Sequence, residues 1–408
     1  MRYFADLHIH SRYSRATSRD IAPQTIWKWA QLKGITVIGT GDFTHPEWFK
    51  ELTTKLEPVG NGLFTLREEY QSDDVPISCR SSVYFVLSTE ISSIYKKNGK
   101  TRKVHSVVLM PDFESVLRFN AILSRIGNVS SDGRPILGLD AKELLKIVTD
   151  TCPEALYIPA HAWTPHFSVF GAESGFDSLE ECYEEMTSFI YAIETGLSSN
   201  PAMNWRWSAL DGLTLLSNSD AHSVSRIGRE ANIFDAELSF AALTVAVKTK
   251  KGFLGTVEFY PEEGKYHFNG HRACKVNLSP EETLKHNYIC PVCNKRVTIG
   301  VMHRVKKLAD RQDDFRPEHA RPFYSLIPLT EILSKILGPS EASKKVDVVY
   351  KRLLQELGNE LGILIDLPLD IVEEAGLPLL KEAISRVRSG NVSIIPGYDG
   401  EYGKVEIF

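Results

Sequence analysis

Two stretches decide the fold: Asp6-Leu7-His8-Ile9-His10, and Thr36-Val37-Ile38-Gly39 leading into Gly41-Asp42-Phe43-Thr44-His45. Each runs a short apolar segment into histidine and carboxylate. The same device recurs along the first part of the chain. Val83–Leu87 precedes Thr89-Glu90, Val104–Met110 contains His105, and Ala155–Pro159 precedes His161. Phe189–Ile193 follows, and Leu213–Ser217 precedes Ser219-Asp220-Ala221-His222. Amphipathic helical stretches such as Pro23–Lys33 and Ala141–Asp150 lie between them. Short strands alternating with helices predict an α/β architecture with a parallel sheet or barrel. Such a fold gathers functional groups at the C-terminal ends of its strands, where these polar residues stand.

Side chains on a strand alternate with period two, so His8 and His10 face the same way and can hold one divalent ion. Taken alone, a histidine such as His105 is more often a satisfied core or surface residue. It is the recurrence of histidine and carboxylate at successive strand ends that points to a multinuclear centre. The candidate ligands are His8, His10, Asp42, His45, Glu90, His105, His161, Asp220 and His222. Such a donor set suits zinc, manganese, magnesium or iron better than calcium. Two or three such ions suit phosphate ester hydrolysis: one lowers the pKa of a bound water towards about 7 and another steadies the leaving oxygen. No Ser-His-Asp or catalytic cysteine arrangement competes for the role.

The chain has 408 residues, 43% apolar and 24% charged, which suits a globular protein of two or three domains. Its start resembles no secretory signal and no apolar run reaches membrane length, so a cytoplasmic location is expected. The formal net charge is −5, but it is unevenly spread. Gly264–Arg311 carries ten Lys or Arg against Glu281, Glu282 and Asp310, a local charge of about +7 that leaves about −12 elsewhere.

Within that basic segment lie His271-Arg272-Ala273-Cys274 and Cys290-Pro291-Val292-Cys293. Two knuckles of equal spacing predict one structural zinc in a ribbon-like module, with His303 as the alternative fourth ligand. A redox role for the Cys-x-x-Cys pair fits the basic context poorly. Cys79, Cys152 and Cys182 are scattered and read as apolar core. The expected organisation is a catalytic domain at 1–258, a basic zinc module at 259–311 and a mainly helical domain at 312–408. The last has helices at Leu329–Leu337, Ala342–Leu357 and Asp370–Ser389, then a hairpin of Val392–Ile395 with Lys404–Phe408.

The motif order resembles the polymerase and histidinol phosphatase (PHP) family. That resemblance implies a distorted seven-stranded α/β barrel with up to three metals, and ligands at His8, His10, Glu90, His105, His161, Asp220 and His222. The family usually has Asp-His adjacent in its second motif. Here Phe43 follows Asp42 and His45 comes later, which leaves open which of the two binds metal. Over nearly the whole chain the sequence resembles endonuclease Q. The likeness runs through Asp6–Arg19, Gly39–Pro46, Ile158–Pro165, Glu194–Ser199, Ser217–Ser223, the two cysteine knuckles and Ile395–Gly400.

This closer resemblance implies an endonuclease that nicks double-stranded DNA 5′ to deaminated bases (uracil, hypoxanthine, xanthine) and abasic sites. Glu90, Asp220 and His222 would act as catalytic residues and the damaged nucleotide would leave the stack. Arg12, Arg15, Arg226 and Arg229 flank the metal motifs and are candidate phosphate contacts. Trp163, Trp205 and Trp207 could stack on a base but read more readily as core. No phosphate-binding Gly-x-x-x-x-Gly-Lys loop is present, so no nucleotide cofactor is expected, and no sliding-clamp or helicase-association motif is evident. Two other readings remain: a small-molecule phosphomonoesterase, which leaves the basic module unexplained, and a non-enzymatic DNA-binding scaffold, which leaves the ligand set unexplained.

Overall fold

The computed structural model describes residues 1–408. Ten strands place the site: β1 (Arg2–Asp6), β2 (Val37–Gly39), β3 (Tyr84–Lys97), β4 (Lys100–Met110), β5 (Leu156–Pro159), β6 (Ala192–Glu194), β7 (Thr214–Leu216), β8 (Ala231–Asp235), β9 (Phe253–Glu258) and β10 (Phe323–Ser325). The sheet runs β10-β9-β8-β1-β2-β3 and continues from β3 through β4 to β5. Strands β1, β2 and β3 are mutually parallel. The β8 strand is antiparallel to both β1 and β9, and β3-β4-β5 is antiparallel throughout. A separate parallel pair is formed by β6 and β7.

The expectation of a parallel sheet closed into a barrel is therefore corrected to a mixed, open one. The reason lies at Asn98-Gly99, where both residues have positive φ, 53° and 73°. A two-residue turn of that kind joins neighbouring antiparallel strands. It carries β3 to Lys97, well beyond the apolar stretch ending at Leu87, and starts β4 at Lys100.

Both faces of the first strand are buried. Tyr3, Ala5 and Leu7 enter a core of 19 residues with Val86, Val107 and Ile158. Phe4 enters a larger core of 75. Period-two alternation therefore puts Asp6, His8 and His10 on the Phe4 face. Helices Pro23–Lys33 and Ala141–Thr151 form where the periodicity places them.

The middle segment holds an antiparallel hairpin of Asn269–His271 and Val276–Leu278. The C-terminal helices are Leu329–Leu337, Lys344–Leu357, Leu369–Glu374 and Leu380–Ser389. The last two replace the single helix expected over Asp370–Ser389, because Gly376 has φ 66° and Pro378 supplies no N–H. Ser393–Ile395 pairs with Lys404–Glu406 as a hairpin. This hairpin returns to the basic segment, where Phe268 N donates to Gly397 O (2.9 Å) and Arg272 N to Asp399 Oδ2 (2.6 Å). No helix is long and apolar enough to cross a membrane.

Candidate metal centre

After Asp6 the first strand leaves the sheet but stays extended. Ile9 bridges Ala221 and His10 N donates to Ala221 O at 3.0 Å. That contact brings His-x-His and Asp-x-His together. Asp6 locks it from below, accepting from Ser219 N at 3.0 Å and Gly228 N at 2.9 Å. Burial pushes its carboxyl up to about 6.

Two groups of potential ligands result: His8, His10, Glu90 and Asp220, and Glu90, His105 and His161. Glu90 belongs to both, one oxygen to each. Its Oε2 lies 3.3 Å from His10 Nε2 and 3.7 Å from His8 Nε2. Its Oε1 lies 2.7 Å from His105 Nδ1 and 3.0 Å from His161 Nε2. Asp220 Oδ1 closes the first group, 2.9 Å from His10 Nε2.

The donors of both groups suit divalent cations, and Glu90 offers one oxygen to each group. His8 Nε2 and His105 Nδ1 are buried without a hydrogen-bond partner. His105 Nδ1 approaches Glu90 Oε1 at 2.7 Å without hydrogen-bond geometry, so in each group one buried nitrogen is left available to a cation. Burial holds the His105 imidazole down at about 4, which keeps it neutral and able to ligate. Burial alone would raise Glu90, but His105, Arg134 and His8 hold its carboxyl well below the usual range. Asp220 is likewise held low against burial, by His10 and His8. Burial opposes charge on His8 and His10, yet the carboxylates around them raise both. A proton and a cation therefore compete for the same nitrogens.

The far nitrogen of each leading histidine is fixed. His8 Nδ1 lies 3.1 and 3.0 Å from the two Glu194 oxygens. His10 Nδ1 lies 3.1 Å from Asp42 Oδ1. An Nδ1–H donated to a carboxylate orients the ring and turns Nε2 inward. Glu194 also accepts from His161 N (3.0 Å) and Asn218 Nδ2 (2.8 Å). The other oxygen of Asp42 accepts from Ser11 N (2.7 Å), Ser11 Oγ (2.6 Å) and Ser14 Oγ (2.8 Å).

Asp42 is thus occupied as a support and stands in neither ligand group. His45 is turned away as well, donating from Nε2 to Ser130 O at 3.1 Å with its ring stacked on Tyr13, centroids 4.3 Å apart. The sequence left open which of the two binds metal; the structure brings in neither. His222 also lies outside both groups. Its Nδ1 donates to Asp220 O (2.8 Å) and its ring is 4.5 Å from His10. At 32% side-chain exposure it stands at the mouth of the site.

Three site residues adopt left-handed backbone: Asp42 (φ 50°), His161 (φ 29°) and Asp220 (φ 47°). Non-glycine residues held there cost of order 1–3 kcal/mol and cluster at functional sites. Gly196 makes room for one of them, since a Cβ there would lie 2.5 Å from that of His161.

Three residues were not anticipated. Glu194 follows the Phe189–Ile193 run as Glu90 follows Val83–Leu87, so the strand-end rule would have found it. Asp6 sits inside the motif that was read only for its histidines. Arg134, whose NH1 lies 2.9 Å from Glu90 Oε2, comes from a loop with no such signal.

The expected phosphate contacts are each engaged by a partner within the chain. Arg12 pairs with Glu51, Arg15 with Asp132 at 3.2 Å, and Arg226 with Glu341 at 2.8 Å. Arg229 Nε donates to Ser219 O at 2.9 Å. Trp163 and Trp207 are core residues against Phe170.

In the basic segment His271, Cys274, Cys290 and Cys293 converge as a separate ligand group, with Cys293 Sγ 3.6 Å from His271 Nδ1. His303 stands outside it, 3.3 Å from Asn269 Nδ2.

The crystal structure of the lesion-specific endonuclease PfuEndoQ from Pyrococcus furiosus superposes with a TM-score of 0.86 at 32% identity, covering 100% of this chain and 95% of that one. The chain belongs to the endonuclease Q family. An endonuclease Q in complex with a 27-mer duplex carrying an abasic lesion at its active site gives a TM-score of 0.84 at 32% identity, covering 100% and 97%. The YqxK protein of Bacillus subtilis is 29% identical over 419 residues, 99% of both chains. The MJ0043 protein of Methanocaldococcus jannaschii is 32% identical over 253 residues, 60% of this chain. That match spans only 31% of the MJ0043 protein. A family model described as the MJ0043 C-terminal domain matches residues 328–391.

Proposed function

We propose that this chain, a metal-dependent endonuclease of the endonuclease Q family, nicks duplex DNA 5′ to deaminated bases and abasic sites. The observation that carries the chemistry is Glu90, whose two oxygens each serve a different histidine group. In this reading His8, His10, Glu90 and Asp220 hold one divalent ion and Glu90, His105 and His161 a second. Bound ions supply an activated water and offset charge on the phosphate.

The chain's own residues do the rest. Glu194 and Asp42 keep the Nε2 atoms of His8 and His10 aimed inward. Asp220, 26% exposed at its side chain, borders both the buried ligands and the opening. Its carboxylate can take a proton from the attacking water; His222, with its Nδ1–H held by Asp220 O, positions that residue, and the departing 3′-oxygen takes its proton from solvent. The products are a 3′-hydroxyl and a 5′-phosphate.

We also read His271, Cys274, Cys290 and Cys293 as the ligands of one structural zinc in a ribbon-like module. With its Lys and Arg excess that module would grip phosphates along the duplex, and the enzyme would work on the DNA of the cytoplasm. A deaminated or abasic position unpairs at low cost, which contributes selectivity.

The test is an end-labelled duplex carrying uracil, hypoxanthine, xanthine, an abasic site or no lesion, with and without chelator. Lesion-dependent nicking that chelator abolishes, with product ends as above, is expected. Absence of nicking by folded, metal-loaded protein overturns the proposal.

A further inference from the structure

We propose that Arg134 is a further catalytic residue, whose guanidinium holds a non-bridging oxygen of the scissile phosphate while one of its N–H groups stays on Glu90. The inference rests on the phosphodiester-cleaving reading above. It begins from a mismatch in exposure: the Glu90 side chain is fully buried, whereas that of Arg134 keeps 23% of its surface exposed. The guanidinium therefore meets the shared carboxylate through NH1 while its side chain still reaches solvent. Of its five N–H donors, the side chain commits one, NH1 to Glu90 Oε2 at 2.9 Å.

The loop behind it is built to hold that pose. Gly133 N donates to Tyr13 O at 2.9 Å and Ser92 N to Pro135 O at 3.0 Å. Thr44 Oγ1 donates to Gly133 O at 3.3 Å. Arg134 N donates to Asp132 Oδ1 at 3.1 Å, and the other Asp132 oxygen holds Arg15 Nε at 3.2 Å. A Cβ on Gly133 would land on Asp42 and Ser14, so only glycine lets the loop approach this closely. Gly133 thereby packs directly against Asp42 and Ser14, the residues that orient His10.

A bland role is available: Arg134 could merely neutralise Glu90. Cations bound at both Glu90 oxygens would do that already, and a guanidinium beside them would then be electrostatically redundant. An anion arriving at the opening changes the balance. A phosphodiester gains negative charge as water attacks, and a fixed planar donor in a water-poor site stabilises that charge without reorganising. Lysine cannot copy the planar fork.

The experiment compares wild type, R134A and R134K on a uracil duplex. Each is also assayed for metal content and for duplex affinity in chelator. R134A should nick about 100-fold or more slowly, with metal content unchanged and affinity within about threefold of wild type. Added guanidinium ion should restore part of the R134A rate. R134K should fold, keep its metals and still lose about tenfold or more. R134A or R134K nicking at the wild-type rate overturns the inference. So does loss of bound metal in R134A without rescue by guanidinium, which would assign Arg134 a structural role. Failure of wild type to nick would instead sink the functional reading itself.

Discussion

Asp42 Oδ1 lies 3.1 Å from His10 Nδ1, and Ser11 and Ser14 fill the other Asp42 oxygen. Asp42 would therefore act on a bound cation through His10. Removing such a support typically costs 10–100-fold in metal affinity or activity. Asp42→Ala should weaken metal binding by about that factor, while His45→Ala, which removes only a stacked ring and one backbone hydrogen bond, should leave it nearly intact. Competition against a graded chelator series separates the two. Equal losses would refute the division of roles.

The shared carboxylate makes a second, sharper prediction. Glu90 is the one residue common to both ligand groups. Glu90→Gln should release metal from both, whereas His105→Ala should empty only the group that contains His161. Metal stoichiometry by elemental analysis is the measurement. A single-ion loss in Glu90→Gln would argue against a bridging role.

How far was this centre legible beforehand? Glu90, His105, His161 and Asp220 were visible because each interrupts or ends an apolar run, although Glu90 and His105 stand within β3 and β4 and not at strand ends. The choice between Asp42 and His45 was not visible. It depends on the left-handed backbone at Asp42 (φ 50°), which spacing does not encode. Arg134 was hidden for a related reason: its loop reaches the site through backbone hydrogen bonds to Tyr13 and Ser92, and composition carries no trace of those. Strand direction failed differently. Asn98-Gly99 is a recognisable hairpin signal, but the polar run Tyr95-Lys96-Lys97 around it does not look like strand.

The cysteine group stands apart from the buried centre and makes its own prediction. Cys293→Ser should remove one equivalent of metal and leave the histidine-held metal in place. A small core of Leu278, Cys290 and Val297 is too little to order the module without a metal. Proteolysis should therefore become fast within residues 264–311. Duplex binding should weaken and its salt dependence flatten as phosphate contacts are lost. Unchanged stoichiometry would refute a metal at this position.

Stability should fall with rising pH through Glu258. Burial pushes its carboxyl up to about 8 from an ordinary 4.5, even though Thr256 and Thr195 donate to it. The folded state therefore keeps the proton longer than the unfolded chain. Its contribution is complete below pH 4.5 and is lost as pH rises towards about 8. Glu258→Gln, uncharged at every pH, should flatten that slope and add on the order of 1–3 kcal/mol near pH 8. Urea midpoints at acidic and alkaline pH check this; an unchanged slope would refute it.

The helical end is joined to the sheet region by a buried charge pair. Lys33 Nζ lies 2.6 Å from Glu360 Oε2, with side-chain exposures of 3% and 5%. Tyr350 OH donates to Glu360 at 2.7 Å and Leu329 N at 3.1 Å. Glu360→Ala strands a charge and two donors, so it should destabilise by about 3–5 kcal/mol. K33M/E360Q removes both charges but keeps an acceptor for Tyr350 and Leu329. It should return to within about 1–2 kcal/mol of wild type, because the desolvation penalty of the pair disappears with its attraction. Denaturant titration of the three proteins decides. A double variant as unstable as Glu360→Ala would mean the ion pair itself, not its hydrogen-bonding carboxylate, fastens the helices 328–391 to the helix Pro23–Lys33.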